Sequence, residues 1–219
     1  MSLITIERKV LEKNDAVAAA NRARLARHGL FAINLVSSPG AGKTTLLERT
    51  LERLRGRVRI GVVEGDVQTD LDARRVARYA VPVVQLVTNG ACHLEAALVQ
   101  QALDRLDLGA LDLLVIENVG NLVCPAAYDL GEAMKVVLLS TAEGDDKPLK
   151  YPAMFRNASV LVVNKTDLVP YVHADLAAIR RNALSVNPDL QIFETSCETG
   201  DGLSSWCAWL EHRAVKAHA

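Results

Sequence analysis

The chain has 219 residues, half of them apolar and only 4% aromatic, which suits one domain with a largely aliphatic core. Its 25 basic and 26 acidic residues give a net charge of −1 without a long run of one sign, which argues against nucleic acid as the main partner. With no run near the ~18 apolar residues of a membrane span, no secretory leader and four cysteines expected to be thiols, the sequence predicts a cytoplasmic protein.

The first 28 residues are predicted to form a charged amphipathic helix with Ile6, Val10, Val17 and Ala20 on one stripe. Two interpretations stay open: the helix packs on the rest of the chain, or it docks a partner. Because no repeat or low-complexity linker follows, we expect residues 29–219 to form a single domain.

Seven short aliphatic or β-branched runs are predicted strands: Phe31–Val36, Arg59–Glu64, Val83–Thr88, Leu111–Glu117, Lys135–Ser140, Ser159–Asn164 and Leu190–Thr195. Most are apolar on both faces, as parallel strands covered by helices are. Predicted helices between them include Thr44–Leu54, Thr69–Tyr79, Leu94–Leu106 and His173–Ser185. This alternation predicts an α/β fold with a doubly wound, mostly parallel sheet flanked by helices.

A glycine-rich loop follows the first predicted strand. Its pattern resembles Gly-x-x-x-x-Gly-Lys-Ser/Thr, with Ser37 at the first glycine position. Backbone N–H groups of such a loop turn onto phosphates at the positive end of the next helix. Lys43 would reach the β- and γ-phosphates, and the Thr44 hydroxyl would ligate Mg²⁺. The predicted phosphate-binding residues are Gly40, Ala41, Gly42, Lys43, Thr44 and Thr45.

Two acidic side chains at strand ends are candidate partners of the Mg²⁺ ion. Asp66 follows the second strand and Glu117 ends the fourth, at the sheet edge where ligands bind in open α/β folds. Glu117 also begins a stretch that resembles Asp-x-x-Gly, in which the N–H of Gly120 would sense the γ-phosphate. Asp70 and Asp72 come after Asp66, and Asp72 is equally well explained as a metal contact or a helix cap. The predicted catalytic residues are Lys43, Asp66, Glu117 and Gly120.

The stretch Asn164-Lys165-Thr166-Asp167 predicts that the base is guanine. The Asp167 carboxylate would accept hydrogen bonds from guanine N1–H and N2–H₂, while the Lys165 stem lies over the ring. Adenine would leave that carboxylate unpaired, at a cost of several kcal/mol. Ser196 and Cys197 begin a segment that resembles the Ser-Ala-Lys loop completing the base site, with Glu198 in place of lysine.

Three soft donors form a second candidate site. Cys92 and His93 are adjacent, and Cys124 follows Glu117 by seven residues. Two thiolates and an imidazole suit Zn²⁺ or Ni²⁺ rather than Mg²⁺. The alternative is that these cysteines are small buried hydrophobes, the structural role we expect for Cys207. The position of Cys124 in the loop of the predicted γ-phosphate sensor favours the metal site.

These stretches together resemble the hydrogenase-maturation GTPases that help insert nickel into nickel–iron hydrogenase. The matching segments lie between about residue 30 and residue 200: Ser38–Leu47, Glu64–Val67, Cys92–Leu94, Glu117–Pro125, Glu143–Pro148 and Asn164–Asp167. The resemblance implies a P-loop GTPase of the signal-recognition-particle and Min class that forms a GTP-dependent homodimer. It further implies that Cys92, His93 and Cys124 bind Ni or Zn near the two-fold interface. The implied partners are nickel-delivery accessory proteins and the hydrogenase large subunit.

One departure from that family concerns the N-terminus. Many members carry a Cys-x-x-Cys-Gly-Cys motif or a histidine-rich tract there. Residues 1–91 of this chain hold no cysteine and only one histidine, His28. We therefore expect the site formed by Cys92, His93 and Cys124 to be the metal site of this chain.

The resemblance implies a GTP-hydrolysing nickel metallochaperone in which GTP and Mg²⁺ order the loops after Glu64 and Glu117. Slow turnover is expected, because Asn121 follows Gly120 where many GTPases carry a water-positioning glutamine, and no arginine finger is evident. Two alternatives stay open. One is a related accessory GTPase of the urease type, whose usual Cys-Pro-His motif is absent. The other is a P-loop kinase or nucleotide-binding regulator without a metal function.

Overall fold

Seven strands form one sheet in the computed structural model, which describes residues 3–67, 71–88 and 90–216, with side chains from residue 9 to residue 215. The strands are β1 (Phe31–Ser37), β2 (Ile60–Asp66), β3 (Val83–Val87), β4 (Leu113–Glu117), β5 (Met134–Ser140), β6 (Val160–Asn164) and β7 (Gln191–Glu194). Their order is β3-β2-β4-β1-β5-β6-β7, and every neighbouring pair is parallel. The predicted doubly wound sheet of seven strands is confirmed. The predicted fourth strand begins two residues late, since residues 108–110 form a 3₁₀ turn before it.

Eight α-helices connect and cover the strands in the described part of the chain. They are α1 (Leu3–Arg27), α2 (Lys43–Leu54), α3 (Leu71–Ala77), α4 (Ala96–Leu103), α5 (Lys147–Lys150), α6 (Pro152–Arg156), α7 (Leu176–Val186) and α8 (Leu203–Lys216). The α4 helix is shorter than the predicted Leu94–Leu106, and it begins only after Glu95, whose backbone is extended at φ −108° and ψ 155°. The α7 helix begins later than predicted, where the Asp175 side chain accepts from the Ala177 N–H at 2.8 Å. The predicted start of α3, Thr69, lies outside the described residues.

Both faces of the sheet are buried, as the continuous apolar strands predict. In β4 the side chains of Leu113 and Val115 pack with α2, α3 and α8 on one face. Those of Leu114 and Ile116 pack with α1 and α4 on the other. Trp206 of α8 lies almost fully buried in the first of these cores. The rigid three-layer packing fixes the strand ends from which the site residues project.

The N-terminal helix packs on the domain, but with a different face from the one predicted. Val10 is 46% exposed, Ala20 is exposed and Val17 is half-buried, while the Ile6 side chain lies outside the described residues. The buried face consists of Asn14, Ala18, Asn21 and Leu25. The apolar pattern of the sequence did not predict this buried face, because two of its inward positions are asparagines whose side chains bond backbone groups of other elements. No helix within the described ranges combines the length and apolarity that a bilayer crossing needs.

The topology places one crevice at the carboxyl ends of the central strands. Strand order reverses at β1, which has β4 on one side and β5 on the other. In open α/β sheets, ligands bind at such a reversal point. The loops after β1, β2, β4 and β6 all begin at this edge.

Candidate functional site

The loop between β1 and α2 has the backbone conformation of a phosphate-binding loop. Gly40 and Gly42 have φ values of 77° and 102°, in the left-handed region that favours glycine. A Cβ at Gly42 would lie 2.7 Å from Nδ2 of Asn164, so a larger residue does not fit. Ser37 replaces the usual first glycine and uses its hydroxyl, which donates to the Ser38 carbonyl at 2.6 Å and accepts from Lys43 Nζ at 3.2 Å. The serine thus holds the lysine against the start of the loop.

A cavity of about 540 Å³ opens above this loop. The phosphate loop, the ends of β2 and β4, the helix α3 and Lys165 border it. Gly120 lies on its wall, and a Cβ there would come within 3.2 Å of Pro39. The loop after β4 therefore packs directly on the phosphate loop, as a γ-phosphate sensor requires.

Three carboxyl groups converge in this cavity. Oxygens of Glu64, Asp72 and Glu117 lie within 4.8 Å of one another. Glu64 and Glu117 are register partners on β2 and β4, and Thr44 Oγ1 donates to Glu117 Oε1 at 2.8 Å. One oxygen of each glutamate, Oε2, is buried without a hydrogen-bond partner. This set of hard oxygen ligands beside the Thr44 hydroxyl fits Mg²⁺.

Burial is the largest cause of the raised pKa of both glutamates. Burial, with the nearby Glu117 charge, raises the pKa of Glu64 to about 10. Burial also raises the pKa of Glu117 to about 7, against the opposing effects of Lys43 and Thr44. A carboxyl group with the raised pKa of Glu64 holds its proton at neutral pH and releases it when a divalent ion binds.

The acidic cluster differs in part from the sequence-based set. Asp66 lines the cavity, but it is not among the three carboxyl groups that converge. Glu64 was missed because it was counted as the last residue of an apolar strand; a carboxylate inside a buried parallel strand was the available signal. Asp72, for which two roles were open, lies in the cluster and also bonds Arg75 at 3.2 Å. Asp70 lies outside the described residues.

The predicted base-binding loop lies against the phosphate loop. Asn164 Nδ2 donates to the Ala41 carbonyl at 3.1 Å, and Lys165 Nζ donates to the Gly40 carbonyl at 2.8 Å. Lys165 has φ 60°, one of two non-glycine residues with positive φ in the described chain. These contacts extend the Lys165 stem across the mouth of the loop, where a planar base can stack beneath it.

The other base-site residues hold Asp167 in position. Ser196 Oγ donates to Asp167 Oδ1 at 2.5 Å and accepts from the backbone N–H groups of Glu198 and Thr199. Cys197 is buried, and burial raises the pKa of its thiol to about 11, so it stays neutral. The Cys197 carbonyl accepts from Arg49 Nε at 3.0 Å, a contact between α2 and this loop that the sequence did not suggest. The bond from Ser196 thus fixes the orientation of the Asp167 side chain.

The three soft donors come together at the surface beside the nucleotide cavity. Ligand atoms of Cys92, His93 and Cys124 lie within 4.8 Å of one another, with 2.8 Å between the two sulfurs and 3.9 Å from Cys92 Sγ to His93 Nδ1. The sulfur separation exceeds the ~2.05 Å of a disulfide bond. Cys92 is exposed and Cys124 half-buried, which disagrees with the core-packing alternative for these two residues. Cys207, by contrast, is buried beside Trp206.

Protonation and ring orientation in this cluster suit a soft metal ion. Burial lowers the pKa of His93, opposed by Glu95, so the imidazole is neutral at pH 7, the form that ligates metals. Its ring lies on Tyr128, with 4.0 Å between ring centroids, and its buried Nε2 has no hydrogen-bond partner and lies 3.9 Å from Glu95 Oε1. A hydrogen bond with Cys92, together with burial, raises the pKa of Cys124. A bound cation would displace that thiol proton.

Lys135 fastens the segment that carries Cys124 to β5, a role that the sequence did not suggest. Its buried ammonium group donates to the Pro125 carbonyl at 2.8 Å and to the Tyr128 carbonyl at 3.2 Å. Burial lowers its pKa, opposed by nearby carboxylates. A lysine that begins a buried strand was the only signal for it. The segment from Cys124 to Tyr128 is thereby fastened to β5.

Comparison with known proteins decides the family. The model of the CobW/HypB/UreG nucleotide-binding domain matches residues 31–194. The hydrogenase maturation factor HypB of Azotobacter vinelandii is 53% identical over 211 residues, covering 96% of this chain and 70% of that protein. This chain belongs to the HypB family of hydrogenase maturation factors.

Two solved structures of HypB proteins support the same assignment. HypB from Helicobacter pylori in complex with nickel has a TM-score of 0.89 at 40% identity, covering 93% of this chain and 96% of that one. HypB from Archaeoglobus fulgidus has a TM-score of 0.87 at 39% identity, covering 93% and 99%. The predicted family is therefore confirmed, together with its P-loop nucleotide-binding fold.

Proposed function

We propose that this chain is a GTP-hydrolysing nickel metallochaperone for the maturation of nickel–iron hydrogenase. The observation that carries the proposal is the position of the soft donors. Cys124 lies four residues after Gly120, and Gly120 packs on the phosphate loop. Membership in the HypB family and the nickel complex of the Helicobacter pylori relative support nickel as the cargo.

The nucleotide chemistry rests on residues at the carboxyl edge of the sheet. Asp167 pairs with the guanine edge, and Lys43 neutralises the β- and γ-phosphates. Bound Mg²⁺ supplies positive charge that stabilises the transferring phosphoryl group. Glu117 orients the Thr44 hydroxyl, while Glu64 and Asp72 supply further oxygen ligands. Asp66, at the same edge, stays a candidate ligand.

Nickel is the substrate that Cys92, His93 and Cys124 bind, and Zn²⁺ suits the same donors. Two thiols lose protons on binding, so affinity rises with pH. A homodimer that forms with GTP around this site is part of the proposal, and membership in the HypB family supports it. Nickel-delivery accessory proteins and the hydrogenase large subunit, in the cytoplasm, are the proposed donor and acceptor. The proposed organisation is an N-terminal helix, residues 1–28, on a GTPase domain, residues 29–219.

Metal and nucleotide sites are proposed to be coupled through the loop from Glu117 to Cys124. Closure of Gly120 on a γ-phosphate displaces that loop and with it one sulfur ligand. Because coupling free energies are reciprocal, nickel must then change nucleotide affinity as well. Hydrolysis relaxes the loop and releases the ion for transfer.

The test compares the wild-type chain with a Cys92→Ala/Cys124→Ala double variant. Equilibrium dialysis measures bound Ni²⁺, and phosphate release measures GTP hydrolysis. We expect the double variant to lose nickel binding yet still hydrolyse GTP, and a Cys207→Ala control to bind nickel like the wild type. A double variant with wild-type nickel stoichiometry, or a wild-type chain that transfers phosphate to an acceptor instead of water, would contradict the proposal.

A further inference from the structure

The side chain of Asn121 connects the two segments that carry the sulfur donors. Its Nδ2 donates to the Cys92 carbonyl at 3.2 Å, and its Oδ1 accepts from the Val123 N–H at 2.8 Å. One amide thus bonds the backbone of Cys92 and the backbone of Val123, the residue before Cys124.

Asn121 occupies the position after Gly120, where a side chain could orient the attacking water. Its amide group is instead engaged at both ends with the metal-site segments. The cavity is bordered by Gly120 and by Asn118, but Asn121 does not line it. The side chain is therefore directed from the phosphate sensor toward the sulfur cluster.

The segment Cys92–Leu94 has its second anchor in the protein interior. The Leu94 N–H donates to Asn118 Oδ1 at 3.2 Å, and Asn118 is 1% exposed. Asn118 Nδ2 in turn donates to Asn34 Oδ1 on the central strand at 3.1 Å. The Leu94 end is thus fixed to the core, whereas the Cys92 end is bonded to the loop that meets the γ-phosphate.

From this arrangement we propose that Asn121 is the positioning residue that transmits the nucleotide state from Gly120 to Cys92. The inference rests on the proposed nickel-chaperone function and adds the residue that couples its two sites. Movement of Gly120 shifts Asn121, which pulls the Cys92 carbonyl and alters the geometry of the two sulfurs. Without the amide, Cys124 still moves with its own loop, but Cys92 no longer follows.

The experiment measures Ni²⁺ affinity by competition with a chromophoric chelator, in the presence of Mg²⁺ with either GDP or a non-hydrolysable GTP analogue. The quantity of interest is the ratio of the two affinities. For the wild-type chain we expect a ratio of about fivefold or more. In Asn121→Ala we expect it to fall to within about twofold of unity.

Two further variants make the test specific. Asn121→Asp keeps the acceptor for the Val123 N–H but loses the donor to Cys92, so its ratio of Ni²⁺ affinities should also fall to near unity. The added negative charge changes the Ni²⁺ affinity in both nucleotide states, so its effect on the ratio cancels to first order. Asn182→Ala removes a comparable amide-to-carbonyl bond, from Asn182 Nδ2 to the Asp145 carbonyl at 2.9 Å, away from both sites. This control should keep the wild-type ratio.

The outcomes separate the two proposals. A wild-type ratio of one contradicts the coupled function itself and the Asn121 inference with it. A wild-type ratio retained in Asn121→Ala or Asn121→Asp overturns the inference alone. A metal-free hydrolysis rate that collapses in Asn121→Ala while the ratio persists would assign Asn121 to the attacking water and also overturn it.

Discussion

Glu64 and Glu117 face each other across β2 and β4 at the place where the nucleotide cavity begins. Each is 2% exposed, and each has one oxygen without a partner. A buried, unpaired carboxyl group is costly unless it keeps its proton or meets a cation. The raised pKa values of about 10 and about 7 express that cost. The burial and the raised pKa values of these two side chains thus indicate a divalent-ion site at this position.

The prediction at this scale concerns Glu64→Gln. The amide keeps the size of the side chain but removes its negative charge, so the site should bind Mg²⁺ about tenfold more weakly or worse. The measurement is the Mg²⁺ concentration that gives half-maximal GTP hydrolysis. Glu52→Gln, on the exposed face of α2, is the charge-matched control.

Asp66→Asn in the same assay separates the two candidate ligands. If the sequence-based choice of Asp66 is right and Glu64 is not a ligand, only Asp66→Asn raises the Mg²⁺ midpoint. A midpoint that Glu64→Gln leaves at the wild-type value would remove Glu64 from the cation site.

The helix α1 packs on the loop before β5 and on the start of α4. From there it holds the two segments that carry the cysteine and histidine donors. Asn21 Nδ2 donates to the carbonyls of Ala96 and Leu130, and Asn14 bonds the Ala96 N–H. Arg22 forms two hydrogen bonds to the Asp129 carboxylate, 2.7 and 2.6 Å long. Since α4 begins at Ala96, shortly after His93, α1 fixes both flanks of the cluster. Its packing role is seen in these contacts, and partner docking stays a prediction.

The next prediction concerns how the attachment of α1 through Asp129 depends on pH. Burial raises the pKa of Asp129, but hydrogen bonds from Arg22 and the Gly131 N–H outweigh it, so the pKa lies below its ordinary value. A lowered carboxyl pKa adds stability above the unfolded-state pKa of about 3.9, and that stability is lost as pH falls through the folded-state value. We expect Asp129→Asn to melt below the wild-type Tm at pH 7, with a difference that shrinks as the pH falls below about 3.9 and through the folded-state pKa.

Thermal unfolding at several pH values measures the Tm difference between the wild type and Asp129→Asn, with Asp104→Asn as the control variant. Asp104 also pairs with an α1 arginine, Arg24, but its side chain is 63% exposed, so solvent screening leaves that pair little weight. A Tm difference for Asp129→Asn that stays constant from pH 7 to pH 3 would contradict the ionic attachment of α1.

The whole molecule shows what sequence could and could not predict. Continuous apolar runs were enough for the seven parallel strands, because burial on both faces leaves a strong local pattern. Phosphate- and base-loop residues were found because their chemistry needs fixed spacing, as at Gly42 and Asp167. Glu64 and the inward asparagines of α1 were missed, because their roles depend on partners more than 50 residues away in the chain. Lys135 was missed because it bonds backbone carbonyl groups, which no side-chain motif reveals.

In the whole molecule, the nucleotide cavity and the cluster of Cys92, His93 and Cys124 both contact a single loop, the one after β4. The Gly120 end packs on Pro39, and the Cys124 sulfur lies 2.8 Å from that of Cys92. This loop therefore contacts both sites. Coupling of the sites is the central claim.

The most direct test is calorimetric titration of Ni²⁺ into the wild-type chain in three forms: nucleotide-free, GDP-bound and bound to a non-hydrolysable GTP analogue. We expect one ion per chain, with affinities for the GDP and GTP-analogue forms that differ about fivefold or more. Equal affinity in all three forms would show that the cysteine–histidine cluster does not respond to the nucleotide, and would contradict the claim.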